Sequence, residues 1–144
     1  MALAVLVVLG PIVGAWAGTR PRAAWFFWAC ALLPVVLLTL VPTARDVGQR
    51  CEVAWMYPTI GRVELAANVV LFVAPVLFLG VALRRPLVAL LAGLGLSAGI
   101  EAIQALLPAL GRSCSTNDWL SNAIGAVIGA ALAWAALQLI RVRR

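Results

Sequence analysis

The chain has 144 residues, of which 65% are hydrophobic and 11% charged, and its eleven basic residues are all arginine, giving a net charge of +6 without any histidine. Soluble domains are about 45–50% apolar and about 25% charged, so the composition excludes a soluble globule and, equally, a disordered chain. An integral membrane protein remains. Because histidine is absent, we expect no metal or cofactor, and because the arginines form no basic stripe, we expect no nucleic-acid partner.

Five apolar runs follow one another along the chain, separated by short segments with arginine, proline and polar residues. A helix needs about 20 apolar residues to cross a bilayer, and the last four runs are long enough. The pattern predicts an all-α fold, a single polytopic transmembrane domain of about five helices over residues 1–144. The predicted helices cover residues 2–18, 23–41, 63–83, 87–107 and 119–140.

The first run allows two interpretations. It carries Gly10 and Pro11 near its middle, so we expect a kinked helix if it spans the membrane. The alternative is a cleaved signal peptide, because Ala15-Trp16-Ala17 resembles a cleavage site. No positive charge precedes this run, whereas signal peptides usually begin with one. We therefore favour a helix that belongs to the bundle.

The arginines predict how the bundle is oriented in the cell membrane. Cytoplasmic connections are enriched in arginine and lysine. Seven arginines fall at one end of the predicted bundle and four at the other, where Asp46, Glu52 and Asp118 dilute them. We therefore expect the N-terminus outside and the C-terminus inside. The seven are Arg20, Arg22, Arg84, Arg85, Arg141, Arg143 and Arg144, and the four are Arg45, Arg50, Arg62 and Arg112.

Two of the three cysteines fall in connections on the predicted outer face. Cys51 lies in the second connection and Cys114 in the fourth, and an oxidising outer compartment permits a disulfide between them. Two free thiols are the alternative. Cys30 lies inside the second run, where we expect a small buried residue.

Polar residues within the last three runs gather at one end of the predicted bundle. Residues three or four apart share a helix face, and neighbouring helices alternate in direction, so these polar stripes predict one pocket that opens to the outside. A charge in the bilayer costs at least about 2.5 kcal/mol, which makes Glu101, the deepest acid, the strongest functional candidate. The residues are Glu64 and Asn68; Ser97, Glu101 and Gln104; and Asp118, Ser121 and Asn122.

Each candidate also has a simpler structural explanation. Asp118 is placed to cap the last helix. Arg112 fits an interfacial anchor or an ion-pair partner of Asp118. Asn68 and Asn122 fit hydrogen bonds between helices. Glu64 can be explained as a solvated charge at a helix end, and Glu101 as a member of an internal ion pair.

Small residues predict close packing of the last two helices. Gly125 and Gly129 form a G-x-x-x-G step in the last run. Gly93, Gly95 and Gly99 lack side chains and so make the predicted fourth helix narrower. Such residues let helix backbones approach each other in membranes.

Three motifs, in this order, resemble the VanZ-like family. They are Glu64-Leu-Ala-Ala-Asn68 with Phe72 and Pro75, then Ser97-Ala-Gly-Ile-Glu101-Ala-Ile-Gln104, then Arg112 with Asp118, Asn122, Gly125 and Gly129. The resemblance covers about residues 62–130. The loop departs from the family pattern at Ser115, where members often carry a further Asp, so a mechanism that needs two loop carboxylates lacks one here.

The resemblance implies a small integral membrane protein of the cell envelope. The name-giving member is associated with low-level antibiotic resistance to glycopeptides of the teicoplanin type. The motif residues that carry over are Glu64, Asn68, Glu101, Gln104, Arg112, Asp118 and Asn122, which the polarity of the runs also selects.

The first functional hypothesis is an accessory protein that binds a membrane lipid in the pocket. The ligand would be the head of a lipid-linked envelope precursor or glycolipid, or the lipid portion of a lipoglycopeptide. Arg112 would bind a phosphate or carboxylate. Asn68, Ser97, Gln104 and Asn122 would supply hydrogen bonds.

Two further functions remain as alternatives. The second is an intramembrane hydrolase or transferase acting on such a lipid, with Glu101 as the acid–base residue and Asp118 or Glu64 as its counterpart. The third is a small proton-coupled transporter, which is less favoured because transporter sites usually lie near the midplane. A structural role beside a membrane-protein partner also fits the first helix, which has no polar side chain to anchor it.

Overall fold

The computed structural model describes residues 2–44, 51–59 and 61–142. This part of the chain contains five α-helices, one pair of two-residue strands and a short 3₁₀ turn at Pro108–Leu110. The all-α bundle expected from the sequence is confirmed. The elements are α1 (Ala2–Gly18), α2 (Pro21–Leu40), β1 (Cys51–Glu52), α3 (Val63–Leu83), α4 (Pro86–Leu106), β2 (Cys114–Ser115) and α5 (Thr116–Val142).

Four helices, α2 to α5, are long and apolar enough to cross a membrane, and α1 is a shorter apolar helix of 17 residues. This supports a multi-pass membrane protein. Helix α5 begins at Thr116 instead of Trp119 and ends at Val142. Five residues that enter the charge count lie outside the described residues: Arg45, Asp46, Arg50, Arg143 and Arg144.

Helix α3 is the centre of the bundle. It packs against α1, α2, α4 and α5, and its closest neighbour along most of its length is α5. Phe72, Val73 and Leu77 are therefore completely or almost completely buried. Helices α2 and α4 barely touch each other, since α2 packs mainly on α3 and α4 packs about equally on α3 and α5. Because α3 and α5 pack along each other in the same direction, their starts lie side by side at the polar end.

Glycine permits the close approach of α3 and α5. A Cβ at Gly125 would collide with the carbonyl oxygen of Val69, and a Cβ at Gly129 would lie 2.5 Å from the carbonyl oxygen of Val73. The G-x-x-x-G step thus faces the α3 backbone directly. Helix α1 uses small residues in the same way, with a Cβ at Gly14 only 3.1 Å from the Cβ of Ala136.

Two expectations about α2 and α4 are wrong in detail. Among the α4 glycines, Gly93 packs against α3, where a Cβ would lie 2.6 Å from Cγ2 of Val76, but a Cβ at Gly95 or Gly99 would meet open space. These two residues lie about 200° and 240° further around the helix, so they face outward. Cys30 is exposed on the outer surface of α2 and is not buried.

Candidate binding site at the polar end of the bundle

A disulfide joins the two connections at the polar end. Strands β1 and β2 pair in parallel, with Cys51 opposite Cys114 and Glu52 opposite Ser115. The two cysteines form the disulfide expected from the sequence, and their Cα atoms lie 4.6 Å apart. The bridge therefore fastens the segment before α3 to the segment that leads into α5.

Side chains at the start of α5 extend this attachment. Thr116 Oγ1 donates to the Ala54 carbonyl oxygen at 2.6 Å and accepts from the Ala54 backbone N–H at 2.9 Å. The backbone N–H of Met56 donates to Asn117 Oδ1 at 2.7 Å. Residues 51–56 thus lie along the first turn of α5 and form one wall of the polar end.

Asn68 and Asp118 link the two central helices. Asn68 Nδ2 donates to Asp118 Oδ1 at 2.8 Å. Asp118 is the third residue of α5, so it lies within the first turn and not at the capping position before it. The positive end of the helix dipole favours a carboxylate at this place. Asp118 is therefore oriented by α3 and stabilised electrostatically by α5.

Glu101 and Gln104 attach α4 to other elements. Glu101 Oε2 accepts a hydrogen bond from the backbone N–H of Ser115 at 2.7 Å, so this carboxylate holds β2 against α4. Gln104 Nε2 donates to the carbonyl oxygen of Thr39 at 3.0 Å, which links α4 to the end of α2. Both side chains make contacts that position the backbone.

Arg112 is hydrogen-bonded to the backbone just after α2. Its Nε donates to the carbonyl oxygen of Val41 at 3.2 Å, just after α2. Beside it, Thr43 Oγ1 donates to the Gly111 carbonyl oxygen at 2.8 Å. Within the described ranges Arg112 forms no ion pair with Asp118, and its contacts secure the end of α2 to the segment that follows α4.

Ser97 and Asn122 form a buried polar contact between α4 and α5. Asn122 Nδ2 donates to Ser97 Oγ at 3.0 Å. Ser97 is completely buried and Asn122 is 3% exposed. This is the interhelical hydrogen bond that the sequence allows as the simpler explanation of Asn122.

We expect this contact to show a measurable coupling free energy. In a double-mutant cycle with Ser97→Ala and Asn122→Ala, we expect a coupling between about 0.6 kcal/mol, the average for interhelical hydrogen bonds in membranes, and their maximum of about 1.7 kcal/mol. Unfolding in mixed detergent micelles measures it. Ser97 and Asn68 make no such contact, so the effects of Ser97→Ala and Asn68→Ala on the free energy of unfolding should add to within about 0.5 kcal/mol. Equal coupling in the two cycles would contradict the assignment.

A cavity of about 500 Å³ opens between the starts of α3 and α5 and the two connections. Its wall carries the carboxylates of Glu52, Glu64 and Asp118 and the guanidinium of Arg62. The remaining lining residues are mostly small or polar: Met56, Gly61, Val63, Leu65, Ser113, Ser115 and Asn117. Three carboxylates against one guanidinium make the wall acidic, and the described residues contain no group of acids or cysteines arranged to hold a metal ion.

The predicted site residues thus divide into two groups. Glu64 and Asp118 line the cavity, and Asn68 holds Asp118 in place. The others hold helices or connections together and do not line it. These are Ser97, Glu101, Gln104, Arg112 and Asn122.

Several residues of the cavity were not predicted as site residues. Glu52, Arg62 and Asn117 line it, although in the sequence Glu52 and Arg62 stand out only by their charge. The predicted disulfide could have indicated Glu52, because joining Cys51 to Cys114 also brings Glu52 next to Ser115. Outside the cavity, Thr39 accepts the hydrogen bond from Gln104 through its backbone carbonyl, for which a sequence offers no side-chain signal.

Comparison with known families agrees with this architecture. The VanZ/LLP1 family matches residues 2–140, which includes α1 to α4 and nearly all of α5. No curated protein and no solved structure matches the chain. The match extends well beyond the three motifs, since it includes the first two helices. The chain belongs to the VanZ/LLP1 family and has the helices of a multi-pass membrane protein.

Proposed function

We propose that this protein binds, in the cavity at the polar end, the head of an envelope glycolipid, a lipid-linked envelope precursor or a lipoglycopeptide. Binding of this kind would alter susceptibility to glycopeptide antibiotics such as teicoplanin. The observation that carries the proposal is the acidic cavity of about 500 Å³ at the end of a bundle of membrane-length helices. That volume lies within the range of small-molecule sites.

The charge of the wall indicates which part of the ligand enters. Glu52, Glu64 and Asp118 can each accept hydrogen bonds from sugar hydroxyls, and they attract amino groups. A phosphate would be repelled by three carboxylates and attracted only by Arg62. We therefore expect a sugar or an amine in the cavity. A lipid-linked precursor would present its sugar there and keep its phosphates outside.

The walls of the cavity are held in place before any ligand binds. The Cys51–Cys114 disulfide fixes the two connections, and the Asn68–Asp118 hydrogen bond fixes α3 against α5. A site that is already ordered loses less conformational entropy on binding. The rigidity of this end therefore favours ligand recognition.

The proposal is tested by replacing the carboxylate of Glu64, which lines the cavity, and, as a control, that of Glu101, which does not. The purified full chain would be exposed to teicoplanin, to a lipid-linked disaccharide precursor and to phosphatidylcholine, and binding measured by native mass spectrometry. We expect one of the first two probes to bind, and Glu64→Gln to weaken it about tenfold, because a charge-assisted hydrogen bond is lost. Glu101→Gln makes the same chemical change outside the cavity and retains an oxygen that can accept from Ser115.

The results separate the possibilities clearly. Weaker binding in Glu64→Gln and unchanged binding in Glu101→Gln would support the cavity as the site. Equal effects of the two substitutions, or binding of neither the glycopeptide nor the precursor, would contradict it. A change in teicoplanin susceptibility of cells carrying Glu64→Gln but not Glu101→Gln would connect the site to resistance.

Two carboxylates in different surroundings support a second function, an intramembrane hydrolase or transferase. Asp118 is partly buried and bonded to Asn68, whereas Glu64 is exposed, and such pairs can divide acid and base roles. Glu101, the acid–base residue expected from the sequence, has weaker support because it holds Ser115 and does not line the cavity. Product formation that is lost in Glu64→Gln while binding is retained would favour the enzyme.

A further inference from the structure

The end of the bundle opposite the cavity carries arginine without any acid. The five acidic residues of the chain are Asp46, Glu52, Glu64, Glu101 and Asp118, and none lies in the two connections or the C-terminal segment at this end. The described arginines there are Arg20, Arg22, Arg84, Arg85 and Arg141, and all five are exposed.

The partial charges of the helix termini are too small to neutralise these arginines. Helices α1, α3 and α5 end here, and α2 and α4 begin here. Each terminus is equivalent to about half an elementary charge, so three negative and two positive termini leave a net of about −0.5. The total positive charge of the five guanidinium groups is far larger than this net charge. The helix termini therefore leave most of this positive charge uncompensated.

Two of these arginines flank a small cavity. It has a volume of about 180 Å³, and it is lined by Arg84, Leu137, Ile140 and Arg141. The two guanidinium-bearing side chains thus lie beside two apolar side chains of α5. The cavity is smaller than a site for a whole drug-sized molecule, so it suits a head group with its adjoining chain.

Arg84 is held at the edge of this cavity. It ends α3 in the left-handed conformation, with φ 55°, and its Nη2 donates to the carbonyl oxygen of Gly18 at 3.2 Å. A guanidinium has five N–H donors, so most of those of Arg84 remain for a ligand. Arg141 lies in the last turn of α5 and is exposed.

Anchoring at the membrane surface does not by itself require such a cavity. Arg20 illustrates an ordinary interfacial arginine, because its guanidinium lies 4.5 Å from the ring centroid of Trp16. Arg84 and Arg141 differ from it because they share a recess with an apolar floor. This combination of two guanidinium groups and aliphatic side chains matches a phosphate attached to an acyl chain.

We propose that this cavity binds an anionic phospholipid. Arg84 and Arg141 donate to the phosphate oxygens, and the first part of an acyl chain packs on Leu137 and Ile140. The apolar floor favours a lipid over free phosphate. The five arginines favour an anionic head group over a zwitterionic one, whose ammonium they repel. The site lies at the end of the bundle opposite the glycolipid cavity and does not depend on it.

Native mass spectrometry of the full chain tests this proposal. Wild type, Arg84→Gln/Arg141→Gln and Arg20→Gln/Arg22→Gln would each be incubated with phosphatidylglycerol or with phosphatidylcholine of the same acyl chains. We expect wild type to retain phosphatidylglycerol preferentially. The Arg84/Arg141 double variant should retain it about tenfold less, because charge-assisted hydrogen bonds are lost. The Arg20/Arg22 double variant loses the same charge at the same end and should differ less than about twofold.

Two further measurements keep the result interpretable. A thermal melt in detergent establishes that each variant is folded, and if the double variant is not, Arg141→Gln alone should reduce retention several-fold. Comparing inorganic phosphate with phosphatidylglycerol in the same melt shows whether the site binds a lipid or a free phosphate ion. Equal loss in both double variants, equal retention of the two lipids, or stabilisation by inorganic phosphate as great as by phosphatidylglycerol would each overturn the proposal.

Discussion

Replacing Gly125 by leucine is expected to lower the free energy of unfolding by about 3 kcal/mol or more. Overpacking usually costs about 1–3 kcal/mol. Here the added side chain would collide with the carbonyl oxygen of Val69 in the α3 backbone, which no change of rotamer can move aside. The two central helices would have to separate. Unfolding by a strong detergent in mixed micelles measures the loss.

Gly99→Leu is the matched control for this substitution. It introduces the same side chain into another membrane helix, at a position where a Cβ meets open space. We expect it to change stability by less than about 0.5 kcal/mol. Similar destabilisation by the two substitutions would show that the α3–α5 contact is not specific.

The Gly125 substitution should also affect the cavity. Gly125 lies two turns along α5 from Asp118, and the separation of α3 from α5 would stretch the Asn68–Asp118 hydrogen bond at the cavity wall. We therefore expect binding of the probe ligand to decrease together with stability. Gly99→Leu should retain binding.

Loss of the Cys51–Cys114 disulfide is expected to lower the free energy of unfolding by about 2–4 kcal/mol. The bridge joins residues 63 positions apart and keeps the segment before α3 against the start of α5. Without it, residues 51–56 depend only on the short strand pair and a few hydrogen bonds. Thermal unfolding of Cys51→Ser/Cys114→Ser in detergent, compared with wild type, measures the difference.

Reduction provides a second measurement of the same effect. Dithiothreitol should shift wild type to the stability of the double variant and should leave the double variant unchanged. Cys30→Ser is the control, because this cysteine is exposed on α2 and forms no disulfide. It should behave as wild type with and without reductant. Retention of full stability after reduction would contradict a structural role for the bridge.

Hydropathy along the chain determines the fold class here. Runs of about 20 apolar residues cannot remain in water, and in a bilayer every backbone polar group must be paired internally, so such runs become helices. The observed helices follow the expected runs closely, and α3 has the same limits, Val63 to Leu83. The alternation of helix direction then determines which connections share an end, which is why the disulfide between Cys51 and Cys114 could be predicted.

The faces of the helices could not be predicted in the same way. In water an apolar face is a buried face, but in a bilayer the surface toward lipid is equally apolar. Gly93, Gly95 and Gly99 therefore look alike in the sequence, whereas only Gly93 packs against α3. For the same reason the sequence predicts a buried Cys30, but this residue lies on the outer surface.

The hydropathy pattern is sufficient to predict a helical membrane bundle with its polar residues at one end, because the cost of placing polar groups in hydrocarbon restricts where they occur. The roles of those residues depend on contacts that form when the chain folds. Glu101 binds the backbone of Ser115 and Arg112 that of Val41, while Glu64 and Asp118 line the cavity. These roles do not follow from helix periodicity, because the cavity wall comes partly from connections whose course is set by a disulfide and by contacts between residues far apart in the chain.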